Sequence, residues 1–142
     1  MKAFFTYLLL LSSLLNFAQI TISSWNIKDL GKSKSDEVIS YMAETLRDFD
    51  VVAIQEVVAG PGGAQAVARL ADELNRKGVK WGYAISKTTK SSPYSSERYA
   101  YLWKPSKVKV IGKPWLDQNF VNDIEREPYM MTINYQGKQL TL

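Results

Sequence analysis

Hydrophobic positions along the chain fall into blocks separated by polar breaks, and the period inside each block predicts an element. Residues 3–15 are apolar apart from Thr6, Ser12 and Ser13, and they follow Lys2. A membrane span takes about 20 apolar residues, so this run is short for one. Its charged start and apolar middle are those of an export signal. Cleavage is expected after Ala18 or Gln19, which makes residues 1–19 a signal peptide and 20–142 the folded unit. Ile20 to Ile27 is β-branched and partly alternating, which predicts a strand. Ser35 followed by Asp36 and Glu37 predicts a helix start, with Val38, Ile39, Met42 and Leu46 on its apolar face. Val51 to Ile54 is a short continuous apolar run, expected as a strand buried on both faces and stopping at Gln55-Glu56. Gly60-Pro61-Gly62-Gly63 predicts a break. A second helix is expected after it, with Ala64, Val67, Leu70, Ala71 and Leu74 inward and Lys77-Gly78 closing it.

From Trp81 the pattern changes to strands. These are expected over Trp81–Ser86, Arg98–Trp103, Lys107–Ile111, Tyr129–Tyr135 and Gln139–Leu142. Lys87 to Ser96 reads as a loop, Gly112 to Glu127 as a long connection, and Gln136-Gly137 as a hairpin turn. Strands and helices interleaved in this way predict an α/β fold.

Composition narrows the chemistry. The 142 residues suit one domain. Cysteine and histidine are both absent, which excludes disulfides, thiol catalysis and any imidazole base or ligand from these residues. The formal charge is +4, or +3 once Lys2 leaves with the signal. That is a mild bias toward anionic partners and does not by itself imply nucleic acid.

Asn26 and Glu56 each end a predicted buried strand, where ligands collect in open α/β sheets. An amide and a carboxylate there offer hard oxygens to a divalent cation. On spacing alone a turn-forming Asn and a solvated Glu are the favoured reading. Glu97 lies just before the strand bearing Tyr99, Tyr101 and Trp103, with the last two expected in the core. Arg126, before Pro128, offers a guanidinium fork for a phosphate, or a surface ion pair with Glu125 or Glu127.

Four segments in order resemble a known family. Ser24-Trp25-Asn26-Ile27 and Asp50-Val51-Val52-Ala53-Ile54-Gln55-Glu56-Val57 look like the opening of the endonuclease/exonuclease/phosphatase superfamily. Glu97 to Pro105 and Arg126-Glu127-Pro128 narrow the resemblance to its deoxyribonuclease I-like branch. The resemblance implies the N-terminal half of a four-layer α/β-sandwich, with one mixed sheet and two helices on its outer face. It also implies a secreted or periplasmic phosphodiesterase using Mg2+, or Ca2+ or Mn2+, on nucleic acid, with DNA as the first candidate. Asn26 and Glu56 would match metal-binding residues. Glu97 would match the carboxylate that orients a catalytic histidine, and Arg126 the arginine on a substrate phosphate. A groove-reading arginine of that branch corresponds to Val58 here, and its groove-contacting tyrosine to Tyr94 only out of register.

The family's histidines and later carboxylates are not among these residues, so the polypeptide is expected to be a fragment, inactive alone. Without a second sheet its inner sheet face would be bare, inviting a completing chain or aggregation, and no membrane span would remain after signal cleavage. Two alternatives stand beside the nuclease: a sphingomyelinase-type phospholipase or phosphoinositide phosphatase of the same superfamily, and a non-catalytic secreted module completed by a partner.

Overall fold

The computed structural model describes residues 19–90 and 96–142. Almost all of the expected signal peptide, and Tyr94, lie outside these described residues. The elements are β1 (Ile22–Leu30), α1 (Asp36–Leu46), β2 (Val51–Val58), α2 (Pro61–Arg76), β3 (Gly82–Ile85), β4 (Glu97–Trp103), β5 (Lys109–Leu116), β6 (Tyr129–Tyr135) and β7 (Lys138–Thr141).

Helix α1 starts where the sequence says it should. The Ser35 side chain accepts a hydrogen bond from the Val38 N–H at 3.3 Å, satisfying one of the donors a helix start leaves open. Its buried face is Ile39, Met42, Ala43 and Leu46, while Val38 is exposed. Helix α2 begins earlier than expected, at Pro61, and takes in Gly62 and Gly63. Proline suits a first helical turn because its missing N–H would have had no intrahelical partner. A Cβ on Gly63 would lie 2.0 Å from the Val58 carbonyl oxygen, so only glycine lets the helix approach the end of β2 this closely.

The strands form two sheets, not the single mixed sheet expected. One has the order β1-β2-β4-β3 and the other β5-β6-β7. β1 and β2 are parallel, and β4 runs antiparallel to both β2 and β3. The two-residue period separates the faces of the first sheet. Val52, Ile54, Ala100 and Leu102 pack under the helices with Leu46, Leu70 and Leu74. On the other face, Val51 and Tyr101 pack with Val108, Met131 and Ile133, the last two from β6 of the second sheet. The inner face expected to be bare is therefore covered by residues of the same chain. β5 and β6 pair with each other and not with the strands of the first sheet. β5 continues past Gly112 to Leu116, so much of the expected long connection is strand. β6 and β7 are joined by the expected turn, where Gln136 and Gly137 both take positive φ, 50° and 81°, as a tight hairpin requires.

Candidate phosphodiester-binding site

The parallel pairing of β1 and β2 brings the carboxyl ends of both strands to one edge. Asn26 and Gln55 are paired in register. The Asn26 Nδ2 donates to Glu56 Oε1 at 2.9 Å. The structure thus brings the two expected ligands into contact. With its amide nitrogen turned to the carboxylate, Asn26 leaves Oδ1 for another partner.

Glu56 owes its direction to an irregularity. Ile54 pairs with Ala100 and Val57 with Arg98, so Gln55 and Glu56 together oppose Tyr99. This is a β-bulge, which re-aims a side chain. Simple alternation would place Glu56 beside Ile54 under the helices. The extra residue lets Val57 take that buried place instead and frees Glu56 toward Asn26. β2 accordingly continues to Val58 rather than stopping at Gln55-Glu56. Glu56 has φ of 57°, a left-handed conformation that costs an L-residue about 1–2 kcal/mol. Asp29, in the irregular end of β1, shares it at 55°. Such strain clusters at functional sites.

Because β4 is antiparallel to β2, its first residue lies beside β2's last: Glu97 pairs with Val58. The Glu97 N–H donates to Thr89 Oγ1 at 3.1 Å and its carbonyl accepts from the Thr89 N–H at 2.9 Å. Glu97 is buried, and its carboxylate pairs with Arg126 Nη1 at 3.1 Å. Burial pushes Glu97 above the usual carboxylate range. The Arg126 charge and a hydrogen bond from Tyr99 pull it back, and the nearby charge of Glu56 raises it further. Burial, then the Glu97 charge, push the Tyr99 hydroxyl up to about 12. Arg126 pairs with Glu97 rather than with Glu125 or Glu127, and its Nε is buried without a hydrogen-bond partner. Asn26, Glu56, Glu97 and Arg126 therefore occupy one edge, in two contacting pairs. Val58, at the expected groove-reading position, is exposed.

Two participants were not expected from the sequence. Glu127 is buried, and its Oε2 accepts the Lys90 N–H at 2.9 Å. Burial opposes its charge, but this N–H and neighbouring hydrogen bonds outweigh burial and hold its pKa below the usual value. It walls a cavity of about 590 Å³ with Lys87, Lys90, Trp115 and Tyr129. Arg98 donates from Nε to the Ala59 carbonyl at 2.8 Å. Its place between Glu97 and Tyr99 in one segment was the only available signal, and nothing in the sequence marked it as internal.

No family model matches the chain. A deoxyribonuclease of Thioalkalivibrio sp. (strain K90mix) is 29% identical over 136 residues, covering 95% of this chain and 36% of the relative. Deoxyribonuclease-1 of Bos taurus is 33% identical over 108 residues, covering 73% of this chain and 37% of the relative. The chain is related to the deoxyribonuclease I-like branch of the endonuclease/exonuclease/phosphatase superfamily. It spans a little over a third of the length of these curated relatives. The fold agrees. An endonuclease/exonuclease/phosphatase family protein from Leptotrichia buccalis C-1013-b superposes with a TM-score of 0.56 at 18% identity, over 87% of this chain and 52% of that one. Humanized D. rerio TDP2 superposes with a TM-score of 0.55 at 20% identity, over 86% and 44%. The α/β architecture of two sheets and two helices is that of these neighbours.

Proposed function

We propose that these residues form one flank of a divalent-metal-dependent phosphodiesterase site acting on nucleic acid, DNA in the first place. The observation that carries this reading is the meeting of two pairs at one edge: Asn26 with Glu56, and Arg126 with Glu97. The donors suit a particular kind of cation. Among the described residues no group of three or more acidic side chains gathers to hold a metal. One carboxylate and one amide oxygen supply part of a hard-cation shell, for Mg2+, Ca2+ or Mn2+. So few protein donors suit Mg2+ best, since it is commonly bound by one or two carboxylates with substrate phosphate. When bound, the cation would neutralise charge developing on the phosphate.

The chain's own groups do the rest of the positioning. Asn26 and Glu56 would hold the cation. Arg126, with Nη1 on Glu97 and its side chain partly exposed, would bring its charge to a non-bridging phosphate oxygen. Glu97 steadies that guanidinium, and orients an imidazole where one is supplied from outside these residues. Inside them there is none, so the 142-residue polypeptide alone is expected to leave plasmid DNA intact. The apolar leader at residues 1–19 supports export, secreted or periplasmic, and no helix among the described residues is long and apolar enough to cross a membrane.

The test is to titrate a dinucleotide with a single phosphodiester into the 142-residue chain with Mg2+ present, following the Arg126 Nε–H resonance by NMR. That resonance should move, and Glu56→Gln should weaken the effect. A dinucleotide that shifts other arginines and leaves Arg126 unmoved would contradict the proposal.

A further inference from the structure

The left-handed backbone of Glu56 needs neighbours that hold it, and one of them is outside the two contacting pairs of the site. Arg98 pairs with Val57, the first residue after the bulge. Ala100 and Leu102, two and four positions on, lie in the core beneath the helices. By the two-residue period Arg98 shares their face, and Glu97 and Tyr99 lie on the other. Arg98 is therefore not a second phosphate ligand beside Arg126. Its partners are carbonyls: Nε to Ala59 at 2.8 Å and Nη1 to Ser86 at 3.4 Å. Ala59 follows β2 and Ser86 follows β3, so one planar group ties the exits of two strands across β4.

We propose that Arg98 is a positioning residue for Glu56. By fixing the Ala59 carbonyl it locks the register of the chain beyond the bulge and keeps the Glu56 carboxylate turned to Asn26. The functional consequence rests on the reading that Asn26 and Glu56 hold a divalent cation. A slip of one residue would exchange the faces of the paired side chains, taking Val57 out of the core and Glu56 under the helices. Lysine is a poor substitute, because a point charge on a flexible stem lacks the fork that spans two carbonyls.

The experiment uses the isotopically labelled 142-residue chain and two readouts. The Glu56 HN–Hα coupling and intraresidue NOE report its φ with no metal present, and Mn2+ titration reports cation affinity. In Arg98→Ala the left-handed signature at Glu56 should be lost, and Mn2+ should bind about 10-fold more weakly, as when a residue that orients a ligand is removed. Arg98→Lys should change both in the same direction by less, and it carries the test if the alanine variant does not fold. Glu56 keeping its left-handed signature in both variants would overturn the proposal. So would a lowered urea midpoint with Glu56 unmoved, which would make Arg98 a structural clamp only. If the unsubstituted chain binds no Mn2+, the cation reading fails, and the Glu56 φ still decides whether Arg98 positions it.

Discussion

Glu97 sits between opposed influences, and their balance can be read by titration. Burial raises its pKa above the ordinary 4.5, Arg126 and Tyr99 lower it, and Glu56 raises it again. The net direction is upward, so the folded state binds this proton more tightly than the unfolded chain does. Its contribution to stability is then fully present below pH 4.5 and is lost as pH rises through the raised value. Glu97→Gln, which cannot ionise, should flatten that part of the stability–pH curve, measured by urea unfolding at several pH values. Arg126→Leu should steepen it, because the chief influence holding Glu97 down is removed. A steeper curve in Glu97→Gln would contradict this account. At this scale the sequence was legible where a polar residue stood at the end of an apolar strand: Asn26, Glu56 and Glu97 stood out, and the structure groups them. Arg98 and Glu127 did not, because a charged residue bonded internally to main-chain groups has the same spelling as a solvated one.

The ends of elements carried more information than their interiors suggested. Ser35 with its acidic successors placed α1, and Gln136-Gly137 placed the β6–β7 hairpin. The apolar run Val51 to Ile54 located β2 but concealed its continuation, because a bulge interrupts alternation and reads as a stop. Gly63 was read as part of a break for a similar reason, since sequence cannot show that a helix backbone presses on a carbonyl. Gly63→Ala should therefore destabilise the protein by about 1–3 kcal/mol, the usual cost of overpacking. That is the opposite of the roughly 1 kcal/mol gain expected from helix propensity alone. Urea denaturation decides the sign. A gain would mean that α2 can move off Val58 without loss.

At the scale of the molecule, α/β layering was legible and the number of sheets was not, because local pattern says that a strand exists but not which strand it pairs with. Two cores result, one under the helices and one between the sheets. Leu102→Ala in the first and Met131→Ala in the second should each cost about 2–5 kcal/mol. Both should leave a single unfolding transition, since β2 and β4 have a face in each core. Separate transitions would mean that the second sheet folds independently. The candidate site depends on this union: Asn26, Glu56 and Glu97 come from the first sheet, and Arg126 from the segment leading into the second. The most direct measurement is the paramagnetic broadening of backbone amides by Mn2+ at low stoichiometry. Broadening should begin at Asn26 and Glu56, spread to Glu97 and Arg126, spare the Asp50 end of the strands, and disappear in Glu56→Gln. Broadening that centres elsewhere, or that survives Glu56→Gln unchanged, would contradict the cation site on which this account of the molecule depends.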